Sequence, residues 1–294
     1  MPTPQNAIFN ETLPDHYFLE YNLVGGWRRD RISLALRQAR AAVGDGVQLV
    51  MGFGPQCLER LAPSSMPDYF IPFHPIVGKD DLVAPGTQSD VFFWLLSDRR
   101  DLNMKAAMAI NEIMKPVATL ELDVQGFRYL DSRDLSGFID GTENPGDDEA
   151  RQVALVPDDQ PGAGGAFVLG QKWVHNLQAF HTLSEPAQER VIGRTKPDSV
   201  ELDPPPANAH VSRADVKIDG SALKIYRRSA PFGDLKEHGL YFVAFSREQM
   251  RFAIILDRMF GVAEDAVVDA LTGFSTPVSG SYWFAPSEEV LDGL

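Results

Sequence analysis

Apolar and polar positions follow two different periods along this chain, and the periods alternate in blocks. The run YFLEYNLV, Tyr17 to Val24, reads as a strand, and Val47 to Gly52 reads as a second. Between them, from Asp30 to Ala42, Ile32, Leu34, Leu36 and Ala39 mark the approximate apolar face of a helix. After a Pro-rich stretch from Pro63 to Pro75 come a strand at Val91 to Ser97, a helix at Leu102 to Met114 and a strand at Ala118 to Val124. The order is β-α-β-β-α-β provided that the Pro-rich stretch hides no strand. The second half repeats this grammar: Ala166 to Leu183 is strand-rich, Glu185 to Gly193 helical, and Leu223 to Arg228 and Leu240 to Ser246 are strands. A helix at Gln249 to Phe260 and a strand at Ser281 to Phe284 complete it.

This pattern predicts an α+β chain of two tandem ferredoxin-like βαββαβ units, each with an antiparallel sheet. The sheets are expected to pack face to face or to join at an edge, as in dimeric α+β barrels. The boundary is expected between Leu130 and Gly164, where Gly, Pro and Asp concentrate, giving units of residues 1–135 and 136–294.

Composition narrows the function. With 294 residues and 44% hydrophobic content a large core is available, while the formal charge of -14 argues against any non-specific hold on nucleic acid or anionic lipid. The single cysteine, Cys57, excludes an internal disulfide, and without CxxCH there is no covalent c-type haem attachment. Met1 to Asn10 lacks the features of a secretory signal, and no apolar run reaches the length of a membrane span, so a cytoplasmic protein with no membrane partner is expected. The chain ends a few residues beyond its last strand, which leans against a C-terminal tail for packaging in a shell.

Three segments could carry chemistry. In GFIDGTENP, Gly137 to Pro145, small residues bracket Asp140 and Glu143; a capped turn with solvated acids competes with a carboxylate held close to a flat ligand. Of the six histidines, His16, His74, His175, His181 and His238 have ordinary structural readings at strand ends or in loops. His210 differs, because it follows the stiff run Pro204 to Pro206 and a short ANA segment outside regular structure. No multi-histidine metal spacing occurs, but one axial imidazole suffices for a cofactor that brings its own four nitrogens. In LKIYRRSAPFG, Leu223 to Gly233, alternation sends Arg227 to the face opposite Tyr226 and Arg228. An Arg near Asp140 would favour its ionised form, and burial would oppose it, so the sign of the net shift stays open.

Together these segments resemble the dye-decolourising peroxidase family, in particular its bacterial class B branch, over nearly the whole chain. GFIDGTENP is similar to the family's GxxDG signature, NAHVSRADV to the segment with the axial histidine, LKIYRRSAPFG to the strand with the distal arginine, and SGSYWFAPS to the terminal strand. The resemblance implies non-covalent haem b in the C-terminal unit, His210 as iron ligand, and Asp140 and Arg227 on the opposite face. It further implies that Ile139, Gly141 and Thr142 flank the cofactor, that Ser229 lies near the distal water network, that Arg194 meets a propionate and that Asp269 accepts from the proximal imidazole. Ordinary readings of the last two are a helix C-terminal charge and a solvated acid.

The implied partners are hydrogen peroxide and small organic reductants, with homo-oligomeric assembly. Electrons are expected to leave through surface aromatics, with Trp173, Tyr226, Tyr241, Tyr282 and Trp283 as candidates that core packing explains equally well. Three rivals remain: a porphyrin-processing or iron-releasing protein, a hydrolase using Asp140 with Glu143, and a non-catalytic oligomeric binding module.

Overall fold

Strand alternation, closed on itself, sets the architecture. The computed structural model describes residues 2–294 except Asp219. The first half runs β1 (Asp15–Leu23), α1 (Arg29–Ala42), β2 (Val47–Phe53), β3 (Val91–Ser97), α2 (Arg100–Met114) and β4 (Ala118–Phe127). The second runs α3 (Asp147–Ala154), β5 (Ala166–His175), α4 (Glu185–Ile192), α5 (His210–Ala214), β6 (Tyr226–Arg227), β7 (Ala230–Gly233) and β8 (His238–Ser246). It ends with α6 (Met250–Met259), β9 (Ser275–Pro277) and β10 (Ser281–Ala285). The Pro-rich region holds a 3₁₀ turn, Pro63–Ser65, and is followed by a two-residue ladder, Ile76–Val77 against Val83–Ala84, outside the main sheet.

Strand order is β4-β1-β3-β2 in the first half and β10-β5-β8 followed by β6 and β7 in the second, with every pairing antiparallel. This is the ferredoxin-like order expected of each unit. The two sheets meet at both edges: Phe284 of β10 pairs with Phe53 of β2, and Phe232 of β7 pairs with Gly126 of β4. The ladder therefore returns to its start, and edge strands that would invite pairing with other chains are used up internally.

Closure divides each strand's side chains between an interior and an outer face. Phe18, Phe92, Trp94, Tyr241, Phe245 and Trp283 fill the interior, while Tyr17, Leu19, Phe93 and Leu95 on the alternate positions pack in the second cluster, with Ile32, Leu36, Ala106 and Ile110 of α1 and α2. Interior rings stack across the halves, Phe18 on Tyr241 at 4.1 Å and Phe92 on Trp283 at 4.5 Å between centroids. The proposed surface route for electrons is corrected by this arrangement. Trp173, Tyr226, Tyr241, Tyr282 and Trp283 are all buried, because alternation in a closed sheet turns them inward or under a helix.

Glu20 shares the interior face with Phe18 and is 1% exposed. Its carboxylate accepts from Tyr241 Oη at 2.9 Å, Ser89 Oγ at 3.2 Å and Ser281 Oγ at 3.4 Å, so one acid of the first half is tied to two hydroxyls of the second. Burial pushes its pKa up to about 7 against these donors. The native state thus holds this proton more tightly than the unfolded chain does. Its contribution favours folding at acid pH and is lost as pH rises towards 7. Glu20→Gln should accordingly stabilise the protein at pH 8, by at most roughly 3 kcal/mol, with the gain fading by pH 5. Chemical denaturation at the two pH values checks this; a gain that does not depend on pH would mean that Glu20 is not the titrating group.

Candidate active site

The outer face of the second half's sheet is not covered tightly. A cavity of about 440 Å³ lies between that face, where Leu169, Gln171, Trp173 and Phe242 project, and Phe252, Ile255 and Met259 of α6. Its walls are mostly apolar, and a small number of polar groups converge on it from loops and strand ends.

His210 opens α5 and reaches into this cavity. Its Nδ1 lies 2.7 Å from Asp269 Oδ2, and Asp269 is fully buried, its Oδ1 accepting from Leu271 N at 2.9 Å to cap the turn Ala270–Gly273. With Asp269 Oδ2 accepting from Nδ1, the neutral form of the ring carries its lone pair on Nε2. Burial works to lower the His210 pKa, but the charge and hydrogen bond of Asp269 outweigh it and leave the pKa raised. The solvated reading of Asp269 is therefore wrong. The five-residue helix is anchored by buried Arg213, which forms a bidentate pair with Asp265 at 2.7 and 2.9 Å and donates twice to Arg258 O.

Facing the same cavity is the loop that carries Asp140. A bridge between Arg133 and Ile139 folds it into a short hairpin, with Asp140 N donating to Ser132 O at 3.1 Å. Gly141 has φ +83°, a conformation that favours glycine and turns the chain immediately after the carboxylate. Asn144 then clamps the loop to β6: its Nδ2 donates to Arg227 O at 2.9 Å and its Oδ1 accepts from Arg227 N at 2.8 Å, as a neighbouring strand would. Asp140 and Arg227 are thereby held on one side of the cavity. Burial raises the pKa of Asp140, with Arg227 opposing and Asp134 adding to the rise, which fixes the sign that the sequence leaves open. Arg227 Nε is buried without a protein partner.

Ile139, Gly141 and Thr142 also line the cavity. Arg194, just past the glycine that ends α4, is 9% exposed and lies on the wall, where it bonds Ser199 O, Glu143 and Glu201 at 2.8, 3.0 and 3.1 Å. Its reading as a simple helix-end charge fails on that burial. Glu143 is 74% exposed and held by Arg194, an arrangement unlike a carboxylate pair shared with Asp140. Ser229 continues the alternation of Arg227, since Arg228 N pairs with Val243 O; its Oγ is buried without a partner, and it does not line the cavity. Sequence reasoning missed Asn144 as a clamp, and it missed Gln171, whose amide atoms are buried and unpartnered on the cavity wall. It also read His175 as a mere strand end, although the side chain lines the cavity with Asp134.

Residues 33–128 match the family model described as Dyp-type peroxidase, N-terminal, and residues 131–290 match Dyp-type peroxidase, C-terminal. A dye-decolorizing peroxidase of Mycobacterium tuberculosis is 36% identical over 252 residues, 84% of this chain and 75% of that protein. A variant of DypB from Rhodococcus jostii RHA1, solved in complex with heme, superposes with a TM-score of 0.90 at 35% identity, covering 99% of both chains. The encapsulated DyP-type peroxidase from Mycobacterium smegmatis gives a TM-score of 0.92 at 33% identity, covering 99% of this chain and 98% of that one.

The clamp is directly testable. Asn144→Ala leaves the N–H and C=O of Arg227 unpaired and should lower stability by about 2 kcal/mol, and Asn144→Asp, which sets a carboxylate oxygen against Arg227 O, should also be destabilised. Denaturant unfolding measures both losses; a stability unchanged in both variants would show that the paired bonds are not what holds the loop.

Proposed function

The chain belongs to the Dyp-type peroxidase family, and from that premise we propose that it is a haem-dependent peroxidase whose His210 ligates iron while Asp140 and Arg227 act on hydrogen peroxide. The observation that carries this reading is the convergence of two sets of groups on one apolar cavity: an imidazole backed by a buried carboxylate, and a half-buried acid near a guanidinium. The cavity suits non-covalent haem b: its walls are apolar, and the unpartnered Arg227 Nε and Gln171 amide leave polar valences for a guest. Arg194 and Thr142 on the cavity wall suit a propionate, with the Arg194 guanidinium also holding Glu143 and Glu201.

When bound, haem b supplies a ferric iron that accepts peroxide and passes oxidising equivalents to dyes, phenolics or other one-electron donors. His210 Nε2 would hold the iron, and Asp269 on Nδ1 fixes the ring's orientation and would increase its electron donation. Asp140 takes the proton from the attacking peroxide oxygen and returns it to the oxygen that leaves as water. Arg227 stabilises the charge that develops as the O–O bond stretches, an effect of about 3 kcal/mol for one fixed donor in comparable anion sites. In this division of labour residues 136–294 carry all of the pocket except Asp134, and the rest of residues 1–135 complete the ring beneath it. A homo-oligomer in the cytoplasm is part of the same proposal, to which the single buried Cys57 and the exposed Tyr69 and Ile71 lend support.

His210→Ala should lose the iron ligand and with it most of the haem retained on purification. An unchanged ferric spectrum in the folded variant would remove His210 from the site. A pH profile tests Asp140 separately. Only the ionised carboxylate accepts a proton and its pKa is raised, so the rate of the peroxide step should fall at a pH above the usual carboxylate range as acid is added. Asp140→Asn should flatten that acid limb in stopped-flow measurements, and persistence of the limb would pass the role to another group.

A further inference from the structure

The cavity wall contains a second acid that the reading above does not use. His175, at the end of β5, projects on the same face as Gln171 and Trp173, and its side chain is 9% exposed. Its Nε2 lies 3.0 Å from Asp134 Oδ1 and its Nδ1 2.8 Å from Ser275 Oγ, while Asp134 Oδ2 accepts from Ser136 N at 2.8 Å. Ser275 opens β9, just after the turn that Asp269 caps. One hydrogen-bonded chain thus runs from the Asp140 loop to the segment behind His210.

The hairpin places the two acids together. Arg133 pairs with Ile139, Asp134 N donates to Phe138 O at 2.9 Å, and Asp140 N donates to Ser132 O at 3.1 Å. Asp134 and Asp140 are therefore diagonal neighbours on one face of the ladder, a relation that sets residues about 7–8 Å apart. We propose that Asp134, held by His175, is a positioning residue that tunes Asp140 as the proton carrier of the peroxide step. The inference rests on Asp140 having that role.

The charges around the pair are distributed unequally. Asp140 faces Arg227 from β6 and His210 from α5; Asp134 faces His175 from β5 and Asp140 in its own loop. Arg133 points to Asp131 and to the carbonyls of Gly137 and Lys196, and the Lys196 ammonium is bound to Gln188 Oε1 over the Phe138 ring. Although burial works against it, His175 and Ser136 hold the Asp134 carboxyl below its ordinary range, whereas burial with the Asp134 charge holds Asp140 above. Two acids with opposed environments can divide the work, one staying charged and the other exchanging a proton near working pH.

The test is a carboxyl carbon-13 NMR titration of protein loaded with diamagnetic zinc protoporphyrin, with Asp140→Asn identifying the resonance. Asp134→Asn should lower the Asp140 midpoint by about one pH unit, and Asp134→Glu, which keeps the charge, should leave it near the parental value. If the Asn variant does not fold, Asp134→Ser removes the same charge. In the haem enzyme the acid limb of the peroxide step should move with the midpoint, raising the rate on that limb about tenfold. An Asp140 midpoint that is unmoved in folded Asp134→Asn, or moved equally by Asp134→Glu, overturns the proposal. A midpoint that moves while the kinetic limb stays still supports the coupling and instead overturns Asp140 as the proton carrier.

Discussion

Everything in the molecule depends on a closed antiparallel ladder in which neighbouring residues cannot share a side. Along β8, Tyr241, Val243 and Phe245 enter the ring's interior while Leu240 and Phe242 face the cavity. The same rule separates Arg227 from Tyr226 and Arg228: Tyr226 packs in the interior cluster, and Arg228 lies over the interior Trp94 ring. A slip of one residue in this strand would exchange a packed aromatic face for a polar one on both sides at once. The interior stacks and the Glu20 hydroxyl network make such a slip costly, so structural packing on one face fixes the position of Arg227 on the other.

Loops complete what the strands begin, and they do so by lending side chains to backbone. Asn144 supplies the hydrogen-bonding pattern of a missing strand beside Arg227, and Asp269 closes a turn with one oxygen while engaging His210 with the other. Asn144 spends both its bonds on the backbone of Arg227, and Asp269 divides its two oxygens between a turn and His210, so the position of each cavity side chain is tied to local backbone geometry. Arg213 does the same for α5, which at five residues is too short to be stable alone.

Much of this was legible in the chain itself. Period-two and period-3.6 runs located both halves, and alternation alone separated Arg227 from its neighbours. Asp140 and His210 stood out by their punctuation, but their roles came from resemblance of whole segments, since a Gly-flanked acid and a Pro-led histidine each have ordinary readings. Closure at two edges was not legible: Gly126 opposite Phe232 and Phe53 opposite Phe284 are single pairs between distant segments. For the same reason Asn144, Glu20 and His175 went unassigned, because their partners lie 83, 221 and 41 residues away. The aromatics expected at the surface were misplaced because their exposure depends on that closure.

The ring also has a consequence for symmetry. Two identical chains meeting edge to edge would present the same outer face twice, with any cavity duplicated. Here the halves are covalently joined and free to differ: α1 and α2 seal the first face with Ile32, Leu36, Ala106 and Ile110, while the second keeps open space beneath α6. A single polypeptide thus behaves as an internal heterodimer, in which one half is sealed by its own helices and serves as a fixed wall for the half that keeps a cavity.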